Sequence, residues 1–271
     1  MLSIALLVCL IAFSSLPPAQ ATELSAIKKR GYLIVGVKDN LRPLGFRDQD
    51  QLQGFEIEIA RQLASDLLGD ETAVEFRPLL NQDRLQALLK GEVDILVARM
   101  TVTASRQRLV DFSRPYFIDG TAFLTRDGIE NLADLTGQPV AVLSGSDTIA
   151  SVRSLLPQIR LRGVASYADA RLLLEAGEVV AVAADSAVLT GWSQEDPQYR
   201  LIPTLISSEA LAVAAPRGRQ YQELRQQINA VVERWLTNGW LRRQIRTWGL
   251  PAEGFPSLSS SAASSPTEPS R

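Results

Sequence analysis

Between Arg99 and Arg106 the chain brings together two guanidinium groups and, at the junction, the hydroxyls of Thr101 and Thr103. All are hydrogen-bond donors, and the backbone N–H groups of a helix start would add to them. Thr103 reads as an N-cap, with Arg106 at the third helical position after it. Such a set suits an anion, above all a carboxylate or phosphate. The competing reading is a capped helix with solvated arginines.

The elements that must hold this set lie on either side of it. Val93 to Ala98 is an apolar run interrupted only by Asp94, as expected for a strand buried on both faces. The donors therefore sit at the carboxyl end of a buried strand, where open α/β sheets bind their ligands. Upstream, residues 32–37 and 73–78 read as strands. Gly54 and Gly69 bracket an amphipathic helix carrying Ile57, Ala60, Ala64, Leu67 and Leu68. A short helix runs from about Asp83 to Gly91. The β-α-β-α-β order predicts a parallel sheet with helices on its faces. A second alternation follows, with strands at 139–143, 160–164 and 179–184 and helices at 148–156 and 167–176. Residues 211–214 form one more strand, and helices at 221–237 and 241–248 close the folded part.

Composition narrows the chemistry. The 271 residues suffice for one large or two ordinary domains, and 46% apolar with 21% charged residues is a globular balance. A formal net charge of −2 gives no reason to expect a nucleic-acid partner. Histidine is absent, which removes the commonest general base and metal ligand. The one cysteine, Cys9, lies in an apolar run, Leu2 to Phe13, that precedes Ala19-Gln20-Ala21. Residues 1–21 read as a secretory signal cleaved after Ala21, although no basic residue precedes the run; an uncleaved anchor is the alternative. Cleavage would leave a chain without cysteine, hence without disulfides or thiolate chemistry. Residues 251–271 are rich in Ser, Pro and Ala and read as a disordered tail. No metal and no cofactor is expected.

The string T-V-T-A-S-R-Q-R-L-V-D-F-S-R-P-Y, Thr101 to Tyr116, resembles the signature of the bacterial family 3 solute-binding proteins, the periplasmic amino-acid receptors of ABC importers. Thr101, Thr103, Arg106, Phe112, Ser113, Pro115 and Tyr116 match it in register, and G-F-E-I-E-I-A at Gly54 to Ala60 is similar to a second family segment. The resemblance covers about Leu24 to Pro251. It implies an α/β fold of two lobes, the type II periplasmic binding protein. Each lobe is then an open, mostly parallel sheet flanked by helices, with the ligand in the cleft between them. Residues 22–120 and 211–250 would form the first lobe and 121–210 the second, with crossings near 119–124 and 209–214. The implied partners are a small-molecule amino acid and a membrane permease, and the protein would be periplasmic, monomeric and not an enzyme.

The resemblance also implies roles. Arg106 would take the ligand carboxylate in a bidentate fork, helped by Thr101; Ser146 would donate from the second lobe; Asp185 would accept from the ammonium. Without the resemblance, Asp185 reads as a helix N-cap and Ser146 as a turn residue. Several positions depart from the family pattern. Asn81-Gln82-Asp83-Arg84 stands where many neutral-amino-acid receptors carry an aromatic lid. Arg99 replaces a small residue, and Asp147 replaces a common glycine. Lys38 matches a basic position of the glutamate and aspartate receptors, whereas Asp39 matches an acid of receptors for basic or amide side chains. The two are neighbours on one strand and point to opposite faces, so one of them should line the cleft. Lys38, Arg84 and Arg99 together favour an acidic ligand, glutamate or aspartate first and glutamine or another neutral polar amino acid second. Arg84 is the expected partner of a side-chain carboxylate, and Arg99 could pair with Asp147 across the cleft. Pairing of all these charges within the protein is the competing reading. A dehydratase-like enzyme of the same fold would need a Glu or Asp in a dry pocket, and no cleft candidate has apolar flanks. A sensory ectodomain would need a membrane-spanning segment after Trp248, and Pro251 to Arg271 does not read as one.

Overall fold

The computed structural model describes residues 23–126 and 128–256. The expected leader and most of the expected tail fall outside that range. In chain order the first unit comprises α1 (Leu24–Arg30), β1 (Leu33–Val37), β2 (Asn40–Leu41), β3 (Gly45–Asp48), β4 (Gln51–Gln53), α2 (Phe55–Leu68), β5 (Val74–Pro78), α3 (Arg84–Leu89), β6 (Ile95–Val97), α4 (Ala104–Gln107) and β7 (Val110–Asp119). The second comprises β8 (Thr121–Thr125), β9 (Pro139–Leu143), α5 (Thr148–Leu155), β10 (Arg160–Val164), α6 (Tyr167–Glu175), β11 (Ala181–Asp185), α7 (Ser186–Glu195) and β12 (Arg200–Ile202). The chain then returns through β13 (Glu209–Pro216), α8 (Gln222–Thr237) and α9 (Trp240–Thr247).

Two five-stranded sheets result, ordered β5-β1-β6-β13-β7 and β10-β9-β11-β8-β12. In each, three strands are parallel and are joined by helical crossovers, and two antiparallel strands complete the sheet. The antiparallel strands belong to the stretches that pass between the lobes. β7 leaves the first sheet and becomes β8 of the second across Gly120 alone. β13 re-enters the first sheet with Glu209 opposite Asp119. The two crossings therefore lie side by side and make a hinge. A small sheet, β2-β3-β4, spans residues 40–53, which the sequence reading left unassigned.

Burial follows the apolar pattern. Val93 and Ile95 to Ala98 are all 0–1% exposed, as a strand covered on both faces requires. One face of the first sheet packs under α2, α8 and α9, with Trp235, Tyr116, Phe55 and Phe117 among the largest buried side chains. The other face is closed by α3, through Ala87 and Leu88 against Leu96 and Met100. α2 buries Ile57, Ile59, Ala60, Leu63 and Ala64, and Gly69 ends it in a left-handed turn at φ 85° whose N–H returns to the Ser65 carbonyl. The second sheet likewise carries apolar clusters on both faces.

Contacts made by α7 tie the lobes together away from the hinge strands. α7 of the second lobe lies on the first so closely that a Cβ on Gly191 would collide with the Arg42 carbonyl. Gln194 Nε2, also on α7, donates to the Trp248 carbonyl at 2.7 Å. The chain stays packed to Pro256, past the expected start of the tail. Gly254 sits against the Phe117 ring, and the Arg242 guanidinium lies 4.0 Å over the ring of Phe255. Phe255 supplies an apolar anchor that composition averaged over the tail conceals. Among the described residues no helix is long and apolar enough to cross a membrane.

Candidate ligand cleft

A concavity of about 1370 Å³ lies between the lobes. That exceeds the roughly 300–1,000 Å³ of an ordinary small-molecule pocket, so a small ligand could touch both walls only after the lobes approach.

One wall is built at the end of β6. The Thr103 hydroxyl caps α4 by accepting the Arg106 N–H at 3.3 Å. This places Arg106 so that its Nη1 donates to the Thr101 carbonyl at 2.8 Å while the side chain lines the cleft. Thr101 lines it too and bridges to Leu211 of β13. Lys38, at the end of β1, is 4% exposed, lines the cleft and donates to the Leu79 carbonyl at 3.0 Å. Burial, and next the Arg84 charge, hold its pKa below the usual lysine value. Asp39 does not line the cleft and pairs with Arg47 at 3.3 Å; the expected strand alternation is not the cause, because Lys38 and Asp39 both lie between β1 and β2.

Arg84 is not where an acidic side chain would need it. It is 7% exposed and does not line the cleft. Its Nη1 donates to the Ala98 carbonyl and, at 2.9 Å, to that of Arg99, while Nε reaches the Asn81 carbonyl at 3.2 Å. It clamps the end of β6 to the start of α3. The family string could not reveal this, because the accepting carbonyls come from a segment fourteen and fifteen residues downstream.

Arg99 occupies the floor at the hinge. Its φ is +50°, a left-handed conformation that costs a non-glycine residue about 1–3 kcal/mol unless its surroundings enforce it. Glu56 enforces it from below, accepting the Arg99 N–H at 2.7 Å. Glu56 is fully buried and also accepts from the Tyr116 hydroxyl at 2.5 Å; burial raises its pKa, and Oε2 has no hydrogen-bond partner. Burial likewise pushes the Tyr116 hydroxyl up, and the Glu56 charge adds to it. The Arg99 guanidinium faces away from Glu56. Nη2 lies 2.5 Å from Asp185 and Nε 3.5 Å from Asp119. The expected partner Asp147 lines the cleft elsewhere and makes no ion pair with it.

Asp185 ends β11 and precedes α7, yet its side chain makes no capping bond. The capping work falls to Asp119, whose Oδ1 accepts from Ser186 Oγ at 2.7 Å and Ala187 N at 3.2 Å. Asp185 is thereby left to face the cleft. Burial raises its pKa although Arg99 opposes the shift, and burial together with Asp185 raises that of Glu209. On the same lobe, past the end of the neighbouring strand β9, Ser146 Oγ is buried with no protein partner, beside Asp147 and the buried Thr148 at the start of α5. Asp119 and Glu209 were missed in the sequence. Their only signal is position at the ends of the two crossing strands. Among the described residues no cluster of three or more His, Cys, Asp or Glu could hold a metal ion. Lys38, Arg99, Thr101, Arg106, Ser146 and Asp185 thus meet around one cleft, while Asp39 and Arg84 do not.

Comparison with known proteins agrees with this architecture. Residues 33–251 match the family model of the bacterial extracellular solute-binding proteins, family 3. A glutamine-binding protein of Geobacillus stearothermophilus is 35% identical over 211 residues, 73% of this chain and 80% of that protein. The glutamine-binding protein of a Bacillus subtilis ABC transporter is 31% identical over 232 residues, 83% of this chain and 84% of that protein. Among solved structures, an ancestral cationic amino acid solute-binding protein superposes with a TM-score of 0.70 at 29% identity, covering 83% of this chain and 98% of the other. The chain belongs to family 3 of the bacterial extracellular solute-binding proteins and has the two-lobe, type II architecture of its amino-acid receptors.

Proposed function

We propose that this family 3 chain is the periplasmic receptor of an ABC importer and closes on a single amino acid with a neutral polar side chain, glutamine before glutamate. The observation that carries this reading is the polarity of the cleft. Arg106 and Lys38 line it from the first lobe, while Asp185 and Glu209 stand at the hinge. An amino acid carries a carboxylate and an ammonium at one end, and such opposed walls suit it. Arg106 forks the carboxylate with the Thr101 hydroxyl, the free Ser146 Oγ donates from the second lobe, and the free oxygen of Asp185 accepts from the ammonium. Glutamine precedes glutamate because Arg84 is taken up by carbonyls and the lining carboxylates Asp111, Asp147, Asp185 and Glu209 outnumber the cations Lys38, Arg99 and Arg106. A second buried carboxylate would find no uncommitted cation. Glutamate remains the second reading because Lys38 does face the cleft.

The receptor works as a monomer with its leader removed after Ala21, and it carries no catalytic activity. Closure about the two hinge strands removes water and strengthens each ion pair inside. Calorimetry with the twenty amino acids tests the reading. Arg106→Ala should lower affinity by about 2–5 kcal/mol, roughly 30- to several-thousand-fold. Arg106→Lys should recover part of it, since an ammonium cannot make the fork. Unchanged affinity in either variant removes Arg106 from the site.

A further inference from the structure

Asp185 ends β11 and stands before α7, where an aspartate ordinarily caps the helix, yet its side chain makes no capping bond. Asp119 does that work from the end of β7, through Oδ1 alone. No backbone N–H therefore fixes the Asp185 side chain. What fixes it comes from the other lobe. Arg99 Nη2 lies 2.5 Å from Asp185 Oδ2, while Nε lies 3.5 Å from Asp119 Oδ2.

The guanidinium that does this is itself held. Arg99 keeps φ +50°, and its N–H donates to the buried Glu56 at 2.7 Å. Asp119 is fully buried and locked into the cap of α7. Arg99 is thus anchored at its backbone and at its Nε end, and Nη2 is the end offered to Asp185. The two side chains are 19% and 17% exposed, so solvent screens the pair less than it would a surface pair. A carboxylate has two oxygens and about four acceptor positions. Pairing through Oδ2 leaves Oδ1 for a second cation.

The other surroundings disfavour a charged Asp185. Burial raises its pKa, Asp119 and Asp147 add to the rise, and Arg99 opposes it. The groups that face it are Arg99 from beyond β6, Asp119 from β7, Asp147 before α5, Tyr167 at the start of α6 and Glu209 from β13. Arg99 is the one cation of this set.

We propose that Arg99 is a positioning residue for ligand binding: it pins one oxygen of Asp185 beside the hinge so that the other meets the ligand ammonium. This rests on the reading of the cleft as an amino-acid site, and it asks for no contact between Arg99 and the ligand. A pH signature follows. An ammonium is held well by a carboxylate and poorly by a neutral carboxyl, so affinity should fall as pH drops through the folded value of Asp185. Loss of the guanidinium lifts that value, and the fall should then begin at a higher pH.

Calorimetry of glutamine binding against pH, on the full chain and its variants, tests this. Arg99→Gly should move the acid-side fall in affinity up by about 1–3 pH units, the shift that loss of a close opposite charge produces. Arg99→Lys keeps a cation on the tether and should bring the fall most of the way back. Asp185→Asn should abolish it, since an amide does not titrate. A folded Arg99→Gly whose fall stays at the native pH overturns the proposal, and so does a fall that survives Asp185→Asn. Should Arg99→Gly not fold, Arg99→Asn answers in its place, since asparagine tolerates left-handed backbone. Failure of both to fold makes Arg99 a structural residue and overturns the proposal as well. A native protein that binds none of the twenty amino acids removes the receptor reading and this inference together. Native binding with an unmoved fall in the variant removes the inference alone.

Discussion

Arg84 and Arg99 make an instructive pair. They lie fifteen residues apart, both are largely buried, and Arg84 donates to the Arg99 carbonyl. Arg84 satisfies its donors on three backbone carbonyls and keeps its charge out of the cleft. Arg99 turns to carboxylates and lines it. Carbonyls hold a guanidinium in place and leave its charge unpaired, whereas carboxylates neutralise it. A residue of the first kind belongs to the frame. One of the second kind takes part in deciding which charges the cleft will accept.

The largest expected effect probes the frame. Arg84→Ala should cost about 3 kcal/mol of stability by urea unfolding, because it leaves three carbonyls without their donor. It should weaken glutamine and glutamate binding alike. A selective loss of glutamate affinity in a protein of native stability would place Arg84 with Arg99 and erase the distinction.

Asp185→Asn probes the other side. It should lower amino-acid affinity about 10- to 100-fold, since the ammonium loses a charged acceptor, with the heat of binding as the readout. Native affinity would mean that the ammonium is held elsewhere. Tyr116→Phe acts below the Arg99 backbone and should cost about 1–2 kcal/mol by leaving Glu56 with one donor.

The pH dependence is expected to be smaller and has a definite sign. The folded-state pKa of Glu56 is raised by burial, and those of Asp185 and Glu209 are raised too. Between the ordinary and the raised value the native state holds more protons than the unfolded chain. These groups therefore favour folding at low pH, and their contribution is lost as pH rises through the folded values. The melting temperature should fall as pH rises above the ordinary carboxylate range, and Glu56→Gln should flatten that slope. A slope that Glu56→Gln leaves intact would assign the effect to the hinge acids instead.

How legible all this was in the sequence follows from the range of the interactions. Residues 93–106 could be read because burial of β6 and capping by Thr103 are local signals. That one of Lys38 and Asp39 lines the cleft was expected, but from a strand that in fact ends at Val37. Arg84 was not readable, since helix spacing says nothing of which carbonyls lie beneath a side chain. Asp119 and Glu209 become neighbours only through a ladder that joins strands ninety residues apart. The resemblance supplied Arg106 and Asp185, but it gave no account of Arg99, because the family pattern has a small residue there. Departure from a pattern marks where the pattern stops being informative.

Gly191 sets a mechanical condition on the molecule. A helix here rests on a neighbouring carbonyl with no room for a methyl group, so the two bodies meet in close contact at this point. In the proposed closure the contact would act as a fulcrum, and the two strands beside Gly120 as the flexing leaf. Displacement would grow with distance from that line, so Gln107 and Asp147 would travel farther than Asp119 and Asp185. The hinge acids would then sit at the still end of a lever, and the polar residues of the facing loops at its tip.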